Sequence, residues 1–372
     1  MIYADHAATT KLSERALQSM LPWLTNEYGN PSQPYSFSRK PRHAIAEARA
    51  RIASCINAKP EEIYFTSGGT ESDNWAIKGT AYSHGLEMKL ITSSFEHHAV
   101  LNACHAISGQ GWQVNYVHPN ANGIVTVQEL SRIITHDTGL VSIMLANNEL
   151  GTIQPVRELS DISHQYGSIF HTDGVQAVGH IPVDVEKMGI DLLSASAHKF
   201  NGPKGVGFLY IRSGTNLVPH ENGGAQELGF RAGTENVAGI VGMSVALEEN
   251  IESLEKNRSH ILSLEKLLLE RLSGLNVVQH CSYAPHLPGL LSLSFPGFNG
   301  EAILHRMDLI GISISTGSAC DSKRTEVSHA LRAINLSEEL AKGTIRISLG
   351  YENTEEDIRA IADGLKRVVT HK

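Results

Sequence analysis

The sequence predicts an α/β protein whose large domain has a mainly parallel seven-stranded sheet and whose smaller domain is α+β. Between about residues 60 and 212, short apolar runs alternate with helical patterns, which is typical of strand–helix–strand crossovers in a parallel sheet. After residue 238 the chain first looks mostly helical and then returns to alternating helices and strand-like runs. We expect residues 15–255 to form the large domain, and residues 1–14 and 256–372 to form the small one.

The strand candidates of the large domain are apolar and often β-branched on both faces, as buried parallel strands are. They are 62–66, 90–94, 113–117, 139–146, 168–172, 191–195 and 206–211. Helical patterns fall between most of them, for example at 71–83, 97–108 and 157–166.

In the second block, a stripe of leucines and one isoleucine between charged residues predicts a helix over 251–272, with Gly274 as a plausible stop. The later predicted elements are a strand at 289–295, a helix near 300–308, a strand near 311–315, a helix near 326–333, a strand at 344–349 and a helix at 354–369.

Composition excludes several classes of protein. The chain has 372 residues, 41% of them hydrophobic, and a formal charge of −8, so it is too apolar for disorder and has no general attraction for nucleic acid or membrane surfaces. Its four cysteines, Cys55, Cys104, Cys281 and Cys320, form no C-x-x-C pair and no disulfide scaffold. No apolar run reaches membrane-spanning length, and the N-terminus does not look like a signal peptide, so we expect a cytoplasmic protein.

Polar residues follow the predicted strands where ligands bind in open α/β sheets, beyond the carboxyl ends. These segments are Ser67-Gly68-Gly69-Thr70-Glu71-Ser72, Glu96-His97-His98, Asn147-Asn148-Glu149, Asp173 with Gln176, and Ser196-Ala197-His198-Lys199. The small-residue turn before a helix suits a phosphate. Each segment alone is equally typical of a helix cap or a turn, and the two adjacent histidines point in different directions, so they make no zinc pair.

Together these segments provide what pyridoxal phosphate (PLP) requires: a lysine for a Schiff base, an aspartate beside the pyridine nitrogen, a flat ring to stack, and a helix terminus for the phosphate. Lys199 is the favoured lysine, since the Gly-Pro surroundings of its rival Lys204 suit a turn. Cys320 lies in a polar segment with Lys323 and Arg324, whose charges could raise its thiolate fraction, although a free cysteine is more often a small buried apolar residue. The other three cysteines lie in helical or apolar contexts and are interpreted as structural.

An ordered set of motifs makes the chain resemble the cysteine desulfurases, which are fold-type I PLP enzymes of the class V aminotransferase group. The motifs are YADHAATT from Tyr3, GNPS from Gly29, FTSGGTESDN from Phe65, EHHAV from Glu96, NNELG from Asn147, HTDGVQ from His171, SASAHK from Ser194, RAGTEN from Arg231, STGSAC from Ser315 and RISLG from Arg346. The resemblance covers nearly the whole chain.

The resemblance implies a role for each matched residue. Lys199 is the Schiff-base lysine, Asp173 the partner of the pyridine nitrogen, and His97 the stacking imidazole that also moves protons. Gln176 and Asn148 lie near the phenolic oxygen of PLP, and Gly69, Thr70, Ser196 and His198 bind the phosphate. Thr234 binds the phosphate across a dimer interface, Arg346 and Asn148 hold the substrate, and Cys320 is the nucleophile. No metal is implied.

The implied reaction converts L-cysteine to L-alanine and leaves the sulfur on Cys320 as a persulfide for an acceptor protein. The implied partners are L-cysteine, a second copy of the chain and that acceptor, with no direct nucleic-acid or membrane partner. The long segment after Cys320 resembles the branch that serves iron–sulfur cluster assembly and nitrogenase-type systems. The chain departs from the family pattern at Tyr35, Ala225, Leu228, Ala232, Val327 and Tyr351, which puts partner choice and rate in doubt more than reaction type.

Two other interpretations stay open. A selenocysteine lyase or another aminotransferase would use the same PLP residues, and an aminotransferase has no use for Cys320. A catalytically dead scaffold is the second alternative, and the intact set of Lys199, Asp173, His97 and Arg346 argues against it.

Overall fold

A computed structural model describes residues 1–316 and 327–370 of the chain. Its strands, in chain order, are β1 (Ile2–Tyr3), β2 (Ile63–Thr66), β3 (Lys89–Ser93), β4 (Gln113–Val117), β5 (Thr138–Ser142), β6 (Ile169–Asp173), β7 (Leu192–Ser196), β8 (Gly207–Ile211), β9 (Val278–Gln279), β10 (Leu290–Ser294), β11 (Ile312–Ser313) and β12 (Thr344–Ser348). Its helices are α1 (Glu14–Thr25), α2 (Arg39–Cys55), α3 (Gly69–His84), α4 (His98–Ser108), α5 (Val127–Ser131), α6 (Val156–Gln165), α7 (Val237–Glu252), α8 (Leu254–Leu272), α9 (Gly300–Leu309), α10 (His329–Ala333), α11 (Glu338–Lys342) and α12 (Glu355–Thr370).

The large sheet has seven strands in the order β2-β8-β7-β6-β5-β3-β4. The strands from β7 to β4 pair in parallel, while β8 is antiparallel to both of its neighbours. Every residue of β5, β7 and β8 is buried, as expected for strands covered on both faces. The predicted α/β class with a mainly parallel seven-stranded sheet is confirmed.

The strand predicted over 139–146 is shorter in the structure, because β5 ends at Ser142. Past that point the backbone still donates toward β6, from Ile143 to His171 and from Leu145 to Asp173. On its other side, the Met144 N–H donates to both carboxylate oxygens of Glu96, at 3.0 and 3.1 Å. A side chain thus replaces a neighbouring strand, and this contact fixes the start of α4 at the edge of the sheet.

The second block contains an antiparallel sheet in the order β12-β10-β9, with β1 and β11 pairing in parallel beside it. Its core is made by α8, α9, α12 and these strands, and it includes Ala4 from the N-terminus. Ala330 of α10 and Ala341 of α11 pack into the core of the large sheet instead. The domain bounds given above remain a prediction.

Several helices differ from the sequence-based expectation. The helix predicted over 251–272 is the end of α7 followed by α8, with Ser253 between them. Helices α1 and α2 were not predicted, although α2 places Ala44, Ala48 and Ile52 on one buried face at four-residue spacing. Across the described ranges, none of the helices combines the length and the apolar character that crossing a membrane requires.

Candidate active site

A cavity of about 570 Å³ opens at the carboxyl ends of the parallel strands. It is lined by residues from both sheets and from the N-terminal segment. Of the residues that the sequence singles out, the cavity brings together Gly69, Thr70, His97, Asn148, Asp173, Gln176, Ser196, His198, Lys199 and Arg346.

The small-residue turn after β2 leads directly into α3, whose N-terminus faces this cavity. Gly68 has a φ of 148°, a backbone conformation that residues with a side chain rarely adopt. A Cβ on the next residue, Gly69, would lie only 2.5 Å from Val175 Cγ2. The Glu71 carboxylate accepts the Ser67 N–H at 2.8 Å and is paired with Arg231 at 2.8 Å. The turn is therefore fixed, and the positive end of the helix dipole provides a site for an anion such as a phosphate.

Asp173, the last residue of β6, lies at the floor of the cavity and is 5% exposed. Burial raises the pKa of this carboxyl to about 6, although the Val175 N–H at 2.9 Å and the positive charge of Lys199 favour the ionised form. The side chain is thus a buried acceptor, which suits a protonated ring nitrogen.

Lys199 ends a short helical turn that follows β7. Its Nζ donates to the carbonyl oxygens of Ala7 at 2.6 Å and Ala8 at 2.9 Å, so the N-terminal segment helps to hold the amine in the cavity. Gln176 donates to the same Ala7 oxygen at 2.9 Å. Lys204 also lines the cavity, but its side chain is exposed.

His97 caps the N-terminus of α4, where its Nδ1 accepts the Ala99 N–H at 3.1 Å. The neutral ring therefore carries its proton on Nε2. Burial lowers the pKa of His97 to about 4, with a further contribution from the Lys199 charge, so the ring is neutral at pH 7. One ring nitrogen lies within 4.8 Å of carboxyl oxygens of Asp73 and Asp173. Because Nδ1 is already an acceptor, this group is better suited to hydrogen bonding than to holding a metal ion.

Arg346 enters the cavity from β12 of the small sheet and is 3% exposed. Its Nη1 donates to the Asn148 carbonyl oxygen at 2.8 Å, and its Nη2 lies 2.7 Å from Asp5 Oδ1. The guanidinium thus joins three segments and offers a buried positive charge that is suited to a carboxylate.

His198 lies on the opposite side of the Lys199 turn and contacts the N-terminal segment. Its Nδ1 is 3.1 Å from Thr9 Oγ1. Burial, aided by the charges of Lys199 and Lys204, lowers the pKa of His198 to about 4, so it is a neutral hydrogen-bonding group at pH 7.

Two predicted site residues are not among the described residues that line this cavity. Cys320 lies outside the described residues, as do Lys323 and Arg324. Thr234 is exposed and is not among the residues that line the cavity. The other three cysteines are free, and burial raises the pKa of each thiol, to about 11 for Cys55 and Cys281 and about 12 for Cys104.

The positions that depart from the family pattern lie away from the floor of the cavity. Tyr35 and Leu228 are 50% and 75% exposed, and Leu228 has a positive φ of 58°. Val327 packs against the core of the large sheet, and Tyr351 lines a small separate cavity.

The structure adds residues that sequence reasoning did not assign. Asp73 lines the cavity, and its position four residues after Gly69 places it on the same face of α3, a spacing from which it could have been found. His329 also lines the cavity, with Nε2 2.8 Å from the Glu96 carbonyl oxygen. No short-range signal indicates this contact, because it joins residues more than two hundred positions apart.

Comparison with known proteins identifies the family. The family described as aminotransferase class-V matches residues 2–361. The cysteine desulfurase IscS of Dictyoglomus turgidum is 48% identical over 99% of this chain and 94% of its own length. The cysteine desulfurase IscS of Methanosarcina thermophila is 45% identical over 99% and 92%.

Solved structures agree with the sequence matches. A NifS-like protein superposes with a TM-score of 0.93 at 36% identity and covers 100% of both chains. SspA in complex with cysteine gives a TM-score of 0.85 at 36% identity over 95% of this chain and 100% of that one. The chain therefore belongs to the class-V aminotransferase family, whose members are PLP enzymes, and within it to the cysteine desulfurases.

Proposed function

We propose that this chain binds PLP in the cavity between its two sheets and uses it to remove the sulfur from L-cysteine, with L-alanine as the other product. The observation that carries the proposal is the convergence of Lys199, Asp173 and the α3 N-terminus on one cavity, with Arg346 reaching it from the small sheet. Names of the relatives and the structure of SspA with cysteine support the substrate.

The residues present fit PLP. The fixed turn at Gly68 and Gly69, with Thr70, Ser196 and His198 nearby, would hold its phosphate, and Asp173 would accept a hydrogen bond from its ring nitrogen. Lys199 would bind it covalently. When bound, PLP withdraws electrons from the amino acid that it carries.

The neutral rings and amides around the cavity would orient PLP. His97 would stack on it with Nε2–H facing the ring, and Gln176 and Asn148 would lie beside its phenolic oxygen. Lys199 Nζ would move protons, because the Ala7 and Ala8 carbonyl oxygens hold it in the cavity, where its charge acts on Asp173 and His97.

Arg346 would bind the substrate carboxylate. Its contacts with Asn148 and Asp5 hold the guanidinium in place before substrate arrives, which reduces the entropic cost of binding. In this proposal the thiolate of Cys320 attacks the substrate Sγ, and an S–S bond forms as the Cβ–Sγ bond breaks. The electron pair of the broken bond stays with the three-carbon fragment, which takes up protons and leaves as alanine.

The partners follow from the same family assignment. We propose a homodimer in which Thr234 completes the phosphate site of the partner, since its side chain is exposed and lies outside its own cavity. Sedimentation of the active enzyme tests this, and an active monomer would contradict it. The sulfur acceptor is a protein of iron–sulfur cluster assembly or another sulfur-transfer pathway, and the reaction takes place in the cytoplasm.

The decisive experiment measures sulfide and alanine released from L-cysteine, in the presence of a thiol reductant, by the wild-type protein and by Cys320→Ala. We expect equal amounts of both products from the wild type. We expect the variant to lose at least roughly 100-fold in rate, because the loss of a covalent nucleophile is not compensated by a neighbouring group. Cys55→Ala is the matched control, since that thiol has a raised pKa and lies away from the cavity.

Other results would favour the alternatives. Alanine production that does not depend on Cys320, together with a strong preference for selenocysteine, would indicate a selenocysteine lyase. Transfer of the amino group to a keto acid with no sulfide would indicate an aminotransferase. Protein that gains no absorbance with added PLP would indicate a scaffold.

A further inference from the structure

A second carboxyl group lies beside Asp173. Asp73 belongs to α3, lines the cavity and is 1% exposed. Its Oδ1 has no hydrogen-bond partner among the described residues, and His171 Nε2 lies 3.7 Å away from it. A buried carboxylate oxygen with no hydrogen-bond partner raises the free energy of the folded protein, unless the carboxyl is protonated or meets a partner when a ligand binds.

Carboxyl oxygens of Asp73 and Asp173 lie within 4.8 Å of each other and of a ring nitrogen of His97. Two carboxylates this close in a buried site do not both ionise without a large electrostatic penalty. One proton therefore stays on the pair under ordinary conditions.

The surroundings decide which carboxyl holds that proton. Asp173 accepts the Val175 N–H at 2.9 Å and faces the positive charge of Lys199, and both favour its ionised form. Asp73 has the Ser194 hydroxyl as its stabilising contact, while burial and the charge of Asp173 raise its pKa well above the ordinary value.

No cation among the described neighbours compensates Asp73. His171 contacts Ser194 Oγ at 3.1 Å and Ser142 Oγ at 2.8 Å, and burial lowers its pKa to about 3, so it is neutral. The other titratable groups that face Asp73 are His97, Glu96 and Cys104, from α4 and the segment before it. Burial lowers the pKa of His97 to about 4, so its ring is neutral at pH 7, and neither Glu96 nor Cys104 can supply a positive charge.

We propose that Asp73 is a positioning residue that stays protonated and directs its O–H toward Asp173. The pair then carries a single negative charge, and that charge resides on Asp173, where it faces the ring nitrogen of PLP. This inference rests on the proposed placement of PLP over Asp173. It gives the second carboxyl a function through hydrogen bonding rather than through charge.

Two substitutions separate the hydrogen bond from the charge. Asp73→Asn keeps a neutral donor of the same shape, and Asp73→Leu removes the donor. Asp161→Asn is the control, since it removes a carboxylate, 45% exposed, from a surface pair with Arg157. The dissociation constant of PLP and the absorbance of bound PLP are measured from pH 6 to 9 for each protein.

We expect Asp73→Asn and the control to bind PLP as the wild type does, and Asp73→Leu to bind it about tenfold more weakly, because a hydrogen bond to a charged group is lost.

The melting temperature of the PLP-free protein gives a second readout. A carboxyl whose pKa is raised on folding makes the fold less stable as the pH rises through that pKa. The melting temperature of Asp73→Asn should therefore rise relative to that of the wild type between pH 5 and pH 9.

Two results would overturn the proposal. If Asp73→Asn weakens PLP binding as much as Asp73→Leu, the group acts as a carboxylate. If both variants bind PLP as the wild type does and the melting-temperature difference is independent of pH, Asp73 has no such function. Wild-type protein that binds no PLP would instead overturn the proposed function.

Discussion

The two sheets contribute polar groups to the cavity in different ways. In the large sheet, β2, β3, β5, β6 and β7 each end on a buried polar residue, namely Thr66, Ser93, Ser142, Asp173 and Ser196. Of these residues, Asp173 and Ser196 line the cavity. In the small sheet, Ile345 and Ile347 of β12 point into the apolar core, while the alternate residue Arg346 points to the cavity. The polar groups of the large sheet thus lie at the carboxyl ends of its strands, whereas the small sheet places Arg346 on one of its faces.

The difference follows from how each sheet is covered. A parallel sheet buried on both faces is open to a ligand at its strand ends, whereas a sheet with one apolar face can present polar residues to a ligand along the other face. The cavity therefore has two parts. The floor, where PLP would lie, is made by Asp173, Lys199 and the N-terminus of α3, and the wall, where the substrate carboxylate would bind, is made by Arg346. Variants should separate the two functions.

The largest expected effect comes from Lys199→Ala, which removes the amine from the floor. We expect turnover to fall by roughly 1,000-fold or more, because the same group binds PLP covalently and transfers protons. The visible absorbance of PLP held on the lysine should also be lost. Lys204→Ala is the control, since Lys204 lines the same cavity with an exposed side chain. Normal turnover by Lys199→Ala would contradict the assignment of the floor.

A smaller effect, on substrate binding and not on PLP binding, is expected from Arg346→Lys in the wall of the cavity. A lysine cannot form the two parallel hydrogen bonds of a guanidinium with a carboxylate, so we expect KM for L-cysteine to rise roughly 10- to 100-fold. We expect the affinity for PLP to stay unchanged, because the Arg346 guanidinium contacts the backbone carbonyl oxygen of Asn148 and the carboxylate of Asp5. Steady-state kinetics and a PLP titration on the same samples check both statements. An equal loss of PLP affinity would show that the wall and the floor are not separate.

The sequence predicted the large sheet well because its signals are local. The predicted strand at 113–117 coincides with β4, and the others lie within a few residues of the observed ones. Polar residues placed just after those strands do meet in the cavity, since parallel strands share one carboxyl edge.

What the sequence missed depends on contacts between distant segments. The contacts of Lys199 with Ala7 and Ala8, and of His329 with Glu96, join residues that no local pattern connects. Strand β5 ends early because the Glu96 carboxylate takes the Met144 N–H, which an apolar run cannot reveal. Helix α1 contains Pro22, a residue that usually ends a helix pattern, and this helps to explain why it was not predicted.

The smallest effect expected tests whether the polar interior of the large sheet also makes the fold sensitive to acid. His171 of β6 is fully buried between two serines, and burial lowers its pKa to about 3. In the unfolded chain this histidine binds a proton near pH 6.5, whereas in the folded chain it stays neutral down to about pH 3. The free energy of unfolding is therefore highest above pH 6.5 and falls as the pH is lowered.

Between pH 7.5 and pH 5, this single group should lower the free energy of unfolding by about 2 kcal/mol. His171→Gln should be less stable than the wild type at pH 7.5, because the serine contacts are altered, yet it should lose about 2 kcal/mol less on acidification. Urea unfolding at both pH values measures this difference, and His43→Gln, whose ring is 74% exposed, is the control for the substitution itself. Equal losses in the wild type and in His171→Gln would mean that the ring accepts a proton inside the sheet, and the acid sensitivity would then have to arise from other groups.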